Sequence, residues 1–279
     1  MRPSSETTMH KTPIYILALA SVTSLLVAQT PPTAGAKQLP PQSTAVEDVL
    51  VPVPREIFNT LDKFAHSNWR AVQRPELSQW MPHGDQTEIA LLLGVVIAEG
   101  FIAVEAENAA EVKSVGRAVL TLARGLGVEK AALTRSRSIV EHAEKGDWPA
   151  VRKEWDGVLP DVQQGMNELK SEQLAQLVSL GGWLRGTEAL TALVLQNYSP
   201  ENAELLRQPA LLDYFEKQLA GMSGNIRIDP IIVRMREGIR KIRLLLASKD
   251  GKISQEKVKE IATIAEELRK GLSPKGRSG

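Results

Sequence analysis

The 279-residue chain contains no cysteine. That excludes disulfides, thiolate metal sites, thiol catalysis and lipid attachment through an N-terminal cysteine. Aromatic side chains are scarce, at 4%, so aliphatic residues must build the core. A large excess of either charge is missing as well. The formal net charge of +1 argues against a protein whose whole surface binds nucleic acid.

Chemistry-bearing motifs are equally sparse. There is no Gly-x-Ser-x-Gly elbow for a hydrolase nucleophile and no Gly-rich phosphate loop. Carboxylate-bridged di-iron bundles need Glu-x-x-His, but the residue three before His142 is Ile139. The turn around Gly251 resembles part of a calcium loop. Its first and last ligand positions would be Leu246 and Lys257, where carboxylates belong. His66, His83 and Asp85 could begin a zinc site, but a third histidine is lacking. The expectation is therefore no metal and no cofactor.

What is present is an ordinary globular balance, 43% hydrophobic and 24% charged. At the N-terminus, Arg2 and Lys11 precede an apolar run from Ile14 to Ala28, followed by the small-residue site Ala34-Gly35-Ala36. This is the pattern of a signal peptide over residues 1–36, cut after Ala36, with Ala28 the second choice. A retained anchor is the alternative. Without an adjacent arginine pair the general secretory route is expected. The destination would be the periplasm of a Gram-negative cell, otherwise the exterior. Residues 37–53, rich in Pro, Gln, Ser and Thr, read as a flexible leader, and 54–271 as one helical domain with a C-terminal hairpin at 230–271. Residues 272–279 read as a disordered tail.

Helix starts recur along the domain. Pro54 suits the first turn of a helix over 55–65. Asp85 with Glu88 forms a capping-box pattern before a helix at 86–107. Asn108 opens the next, to Arg124, and another runs from Val128 to Lys145, ending at Gly146. Asp147 opens a segment whose apolar rhythm survives Pro160, which predicts one kinked helix. Ser199-Pro200, Pro209 and Asp229-Pro230 start three more, and Ser254 starts the last. No strand pattern competes after residue 36. The predicted fold is all-α, a multi-helix bundle of about ten helices.

Two helices, 86–107 and 172–197, are apolar on every side, which marks them as the buried centre. Both carry glycines (Gly94 and Gly100; Gly181, Gly182 and Gly186) at a helix-propensity cost of about 1 kcal/mol each, the signature of close backbone approach. Glu99 lies in the first helix, and Arg185 and Glu188 in the second. Buried charges need partners, so Arg185 is predicted to bridge both glutamates. The bland meaning is a device that fixes the register of two greasy helices.

The connection 66–84 is long and holds Trp69 and Trp80, which are expected to fold back onto the bundle. Trp69, Arg70, Trp80 and His83 are the candidate ligand-binding residues. Charge is also uneven along the chain. Residues 45–112 hold eleven acids and four bases, net −7, whereas 227–252 hold eight bases and three acids, net +5. The helix 230–247 is amphipathic and flanked by Arg234, Arg236, Arg240, Lys241 and Arg243, a pattern shared by bundle helices and lipid-surface helices.

These features point to an exported, non-catalytic helical module that binds a protein partner or small ligand, and no nucleic acid. Two alternatives stand beside it. One is an enzyme with a polar pocket around Glu99, Arg185 and Glu188; the other is a membrane-surface protein using the helix 230–247.

Overall fold

Helix-forming periodicity and capping residues divide the chain much as its proline and glycine punctuation suggests. The computed structural model describes residues 43–46, 49–52, 62–64, 67–80, 82, 84–247 and 252–273, all within the unit 39–279. The expected signal segment, most of the expected helix 55–65, His66, His83 and the turn at Asp250-Gly251 lie outside the described residues.

The architecture is an all-α multi-helix bundle. Its helices are α1 (Trp69–Val72), α2 (Gln86–Glu105), α3 (Ala109–Gly125), α4 (Glu129–Lys145), α5 (Trp148–Trp155), α6 (Val158–Glu168), α7 (Glu172–Gln196), α8 (Pro200–Glu204), α9 (Pro209–Gly221), α10 (Gly224–Ile228), α11 (Pro230–Leu246) and α12 (Gln255–Lys270). Short 3-10 turns occupy Asp62–Phe64 and Pro75–Gln79. Side chains close the helix starts as their types predict. Asp85 accepts from the N–H of Thr87 and Glu88, at 2.9 and 3.2 Å. Asp229 accepts from Ile231 at 2.8 Å and Ser199 from Asn202 at 3.1 Å.

Four sequence expectations need correction. The leader contains a small antiparallel ribbon, β1 (Ser43–Val46) with β2 (Val49–Pro52), in which Ser43 faces Pro52 and Val46 faces Val49. Its β-branched residues outweigh the prolines around them. The segment 148–168 is two helices, α5 and α6, because the Pro160 ring would collide with the Asp156 carbonyl of a continuous helix. The break falls at Asp156 and Gly157, which leaves Pro160 in the first turn of α6, where its missing N–H costs nothing. The turn 221–229 contains the short helix α10. Leu272, placed in the tail, is buried.

At the centre α2 and α7 lie side by side and make the most extensive helix contact among the described residues. They run in the same direction: their N-terminal residues, Asp85 to Thr87 and Ser171 to Leu174, line one groove, while Glu99 meets Arg185 further along. A Cβ on Gly94 would strike the Val178 carbonyl, and one on Gly181 the Leu91 carbonyl, so here only glycine lets the backbones touch. The other glycines differ. At Gly100 a Cβ would collide with the Trp155 ring of α5, and at Gly186 nothing lies within 4 Å. Trp155 is buried and donates from Nε1 to the Ile97 carbonyl at 3.1 Å, so α5 is keyed into α2 by an indole in a glycine notch.

The α2 helix is long and apolar enough to cross a membrane. Its most apolar window is, however, 94% buried inside the protein, which makes it a core helix of the bundle. Around the pair, α3 covers α2 while α6 and α12 cover α7. Trp183 of α7 packs on Phe215 of α9 with ring centroids 5.6 Å apart.

Candidate functional site

The glycine contact sets the geometry of the charges beyond it. Four residues past Gly181, Arg185 reaches across to α2 and bonds Glu99 Oε2 through Nε and Nη2, each at 2.8 Å. Its Nη1 meets Glu188 Oε2 at 3.2 Å, three residues along the same helix. The side chains of Glu99 and Arg185 have no exposed surface. The expected bridge, one guanidinium between two carboxylates, is present.

The bridge is part of a larger assembly that sequence reasoning did not find. Arg269, from the last turn of α12, donates from Nε to Glu188 Oε2 at 2.9 Å and is itself buried. The segment 67–80 supplies the rest. Arg185 Nη2 donates to the Val72 carbonyl at 2.6 Å, and the Arg74 backbone N–H donates to Glu99 Oε1 at 2.6 Å. The Arg74 guanidinium lies 3.4 Å from Glu188, and Glu76 lies 3.8 Å from Arg269. Three arginines thus face three glutamates, so the assembly enters the core without net charge, the condition under which buried ions are tolerated.

Segment 67–80 is therefore a strap tied across α2 and α7. Further bonds hold its ends. The Gln196 side chain accepts from the Asn68 N–H at 3.0 Å and donates to the Asn68 carbonyl at 3.3 Å, as a neighbouring strand would. Asn108 donates to Gln73 at 3.3 Å, and the hydroxyls of Ser114 and Ser78 lie 3.1 Å apart.

Electrostatics follow from this enclosure. Burial pushes the Glu99 carboxyl above its ordinary range, opposed by the Arg185 charge and the Arg74 N–H. Glu111, on α3, is raised too, first by burial and then by the negative charge of Glu99, with Ser78 opposing. Arginine engages the Oε2 atoms of both central carboxylates, while Glu99 Oε1 accepts from the Arg74 backbone N–H and Glu188 Oε1 is buried with only the Arg74 guanidinium approaching it, at 3.4 Å. Among the described residues, the Arg185 side chain has no surface in reach of solvent. The assembly meets water at its edge, where Arg74 and Glu76 are 28% and 53% exposed.

The other candidate residues separate. Trp69 is buried and donates from Nε1 to the Phe64 carbonyl at 3.1 Å, an anchor of the strap. Arg70, next to it, is exposed, and Trp80 is half-buried against the core. Both tryptophans of the strap, Trp69 and Trp80, fold back onto the bundle. Among the described residues no cluster of three or more histidine and carboxylate side chains is arranged to hold a metal ion.

Compared with protein-family models, with curated proteins and with solved structures, the chain matches none.

Proposed function

We propose that the chain is an exported, non-catalytic helical module that binds a protein partner or small ligand through the outer face of the strap. The observation that carries this reading is the way the strap is held. Two buried arginines and two buried glutamates are committed to fixing a short segment of single helical turns, which leaves Arg70 exposed and Trp80 partly exposed at the edge of the core. A connecting segment that a rigid scaffold holds in one conformation is a recurrent form of binding surface. Preorganisation of this kind lowers the ordering cost of association.

The test is site-specific photo-crosslinking in the native envelope from positions 70 and 80, with Leu133 and Leu169 as exposed controls. Discrete adducts are expected from the strap positions only. Equal adducts from the control positions would overturn the strap as the contact surface. The export half of the proposal is read separately by N-terminal sequencing of protein from the same envelope. Lys37 is the expected first residue, and an intact Met1 or Met9 start would refute cleavage.

A further inference from the structure

We propose a second contact surface, independent of the strap: the outer face of α11 docks on an anionic lipid surface. The inner face of α11, with Ile232, Met235, Ile239 and Ile242, is buried in the bundle. The outer face is unusual in its composition. Val233 and Leu244 lie there at nearly the same azimuth, three turns or about 16 Å apart. They are 39% and 75% exposed. Just before the helix, Ile228 is 70% exposed. These three are most of the large exposed apolar side chains among the described residues; the others, Leu133 and Leu169, stand on α4 and just after α6.

Cations flank this apolar ridge on both sides. Arg236 and Arg240 lie along one edge, and Arg234 and Lys241 along the other, with Glu237 the one acid on the face. Arg227 precedes them and is exposed. None of the ion pairs among the described residues engages these five cations. Their neighbour Arg243 is different: Asp213 and Glu216 of α9 both bind it. Between α9 and α11 a groove of roughly 430 Å³ is lined by Lys217, Arg236, Arg240 and Arg243 against the two carboxylates Asp213 and Glu216, which are already engaged by Arg243, so cations are in excess there. Its size and charge suit a phosphate-bearing headgroup.

Apolar tips set between cations match the headgroup boundary of a bilayer. There the side-chain ends enter the acyl edge while the guanidinium and ammonium groups meet phosphate. An acidic protein would satisfy the cations but leave Leu244 and Val233 without an apolar partner, so charge and apolarity together favour lipid.

Because the chain lacks cysteine, Leu244→Cys places one polarity-sensitive fluorophore at the ridge of the full chain, and Leu133→Cys places a control elsewhere. The probes are vesicles of phosphatidylcholine alone and of phosphatidylcholine mixed with phosphatidylglycerol. The label at 244 is expected to shift to the blue on the mixed vesicles, and to lose the shift in high salt. The label at 133 is expected to stay unchanged. Adding Arg240→Gln and Lys241→Gln should weaken the response roughly 25-fold, about fivefold for each cation lost near the surface. An unshifted label at 244, an equal shift at 133, or a shift indifferent to the two glutamine substitutions would overturn the proposal. So would a shift on polyglutamate without one on vesicles, which would assign the face to an acidic protein.

Discussion

Replacing Arg185 with Met is the most direct perturbation of the central assembly. The substitution keeps the volume and apolar stem of the side chain and removes only its charge and donors. Glu99, fully buried, would keep the Arg74 backbone N–H and lose its guanidinium. The Val72 carbonyl, buried, would lose its donor from Arg185. Glu188 would fare better, because Arg269 at 2.9 Å and Arg74 at 3.4 Å remain. The loss therefore falls on Glu99 and the strap. Breaking a buried pair costs about 3–5 kcal/mol. The upper end is tempered because burial already favours protonation of Glu99, and a neutral carboxyl is cheaper to strand. Urea unfolding should show a lower midpoint at unchanged slope, and the melting temperature should fall by roughly 6–20 °C for a domain of this size. Hydrogen exchange gives the local signature, with amides of 68–80 losing protection before those of α3 and α4. Adding Glu99→Gln to Arg185→Met should restore part of the loss. Stability within about 1 kcal/mol of the parent, with strap amides still protected, would refute the reasoning, since that is no more than an exposed ion pair contributes.

Two glycines of α7 should respond in opposite directions to alanine. Gly181→Ala drives a methyl into the Leu91 carbonyl and should cost roughly 1–3 kcal/mol by forcing α2 and α7 apart. Gly186→Ala meets nothing within 4 Å and should stabilise by about 0.5–1 kcal/mol, the helix-propensity difference; thermal melts giving the two the same sign would disprove the packing account. For pH, the sign follows from Glu99. Its folded carboxyl titrates above the ordinary value of 4.5, so in the interval above 4.5 the native state holds a proton that the unfolded chain has lost. Stability falls as pH rises through that interval, and the penalty is complete above the folded value. The curve of parent minus Glu99→Gln should therefore slope downward there; an upward slope would show that Arg185 outweighs burial.

The central pair was legible in the sequence because two helices apolar all round, each with glycines and an embedded charge, leave few arrangements open. The bridge among Glu99, Arg185 and Glu188 followed from the cost of an unpaired buried ion. Arg269 was hidden for the opposite reason. It stands beside Lys270 at the end of a charge-rich helix, where a cation ordinarily faces water and the helix dipole. The strap's contribution was hidden more deeply, since the Val72 carbonyl and the Arg74 N–H are main-chain groups that any residue types would have supplied. The Trp155 notch had a faint signal, Gly100 in an otherwise unbroken apolar helix. It read as close approach between helices rather than as space for an indole. The ribbon at 43–52 went unseen because Pro, Ser and Thr dominate the composition around a short run of valines.

The pairing of Arg269 with Glu188 spans 81 residues of chain. This sets an order on biosynthesis. A ribosome delivers the chain from its N-terminus, so the strap, α2 and α7 all emerge before the arginine that completes their shared centre. Until residue 269 arrives, Glu188 sits in an assembly short of one positive charge, and α7 lacks the cover of α12. A truncation that removes Arg269 would leave Glu188, in the middle of the molecule, without that partner.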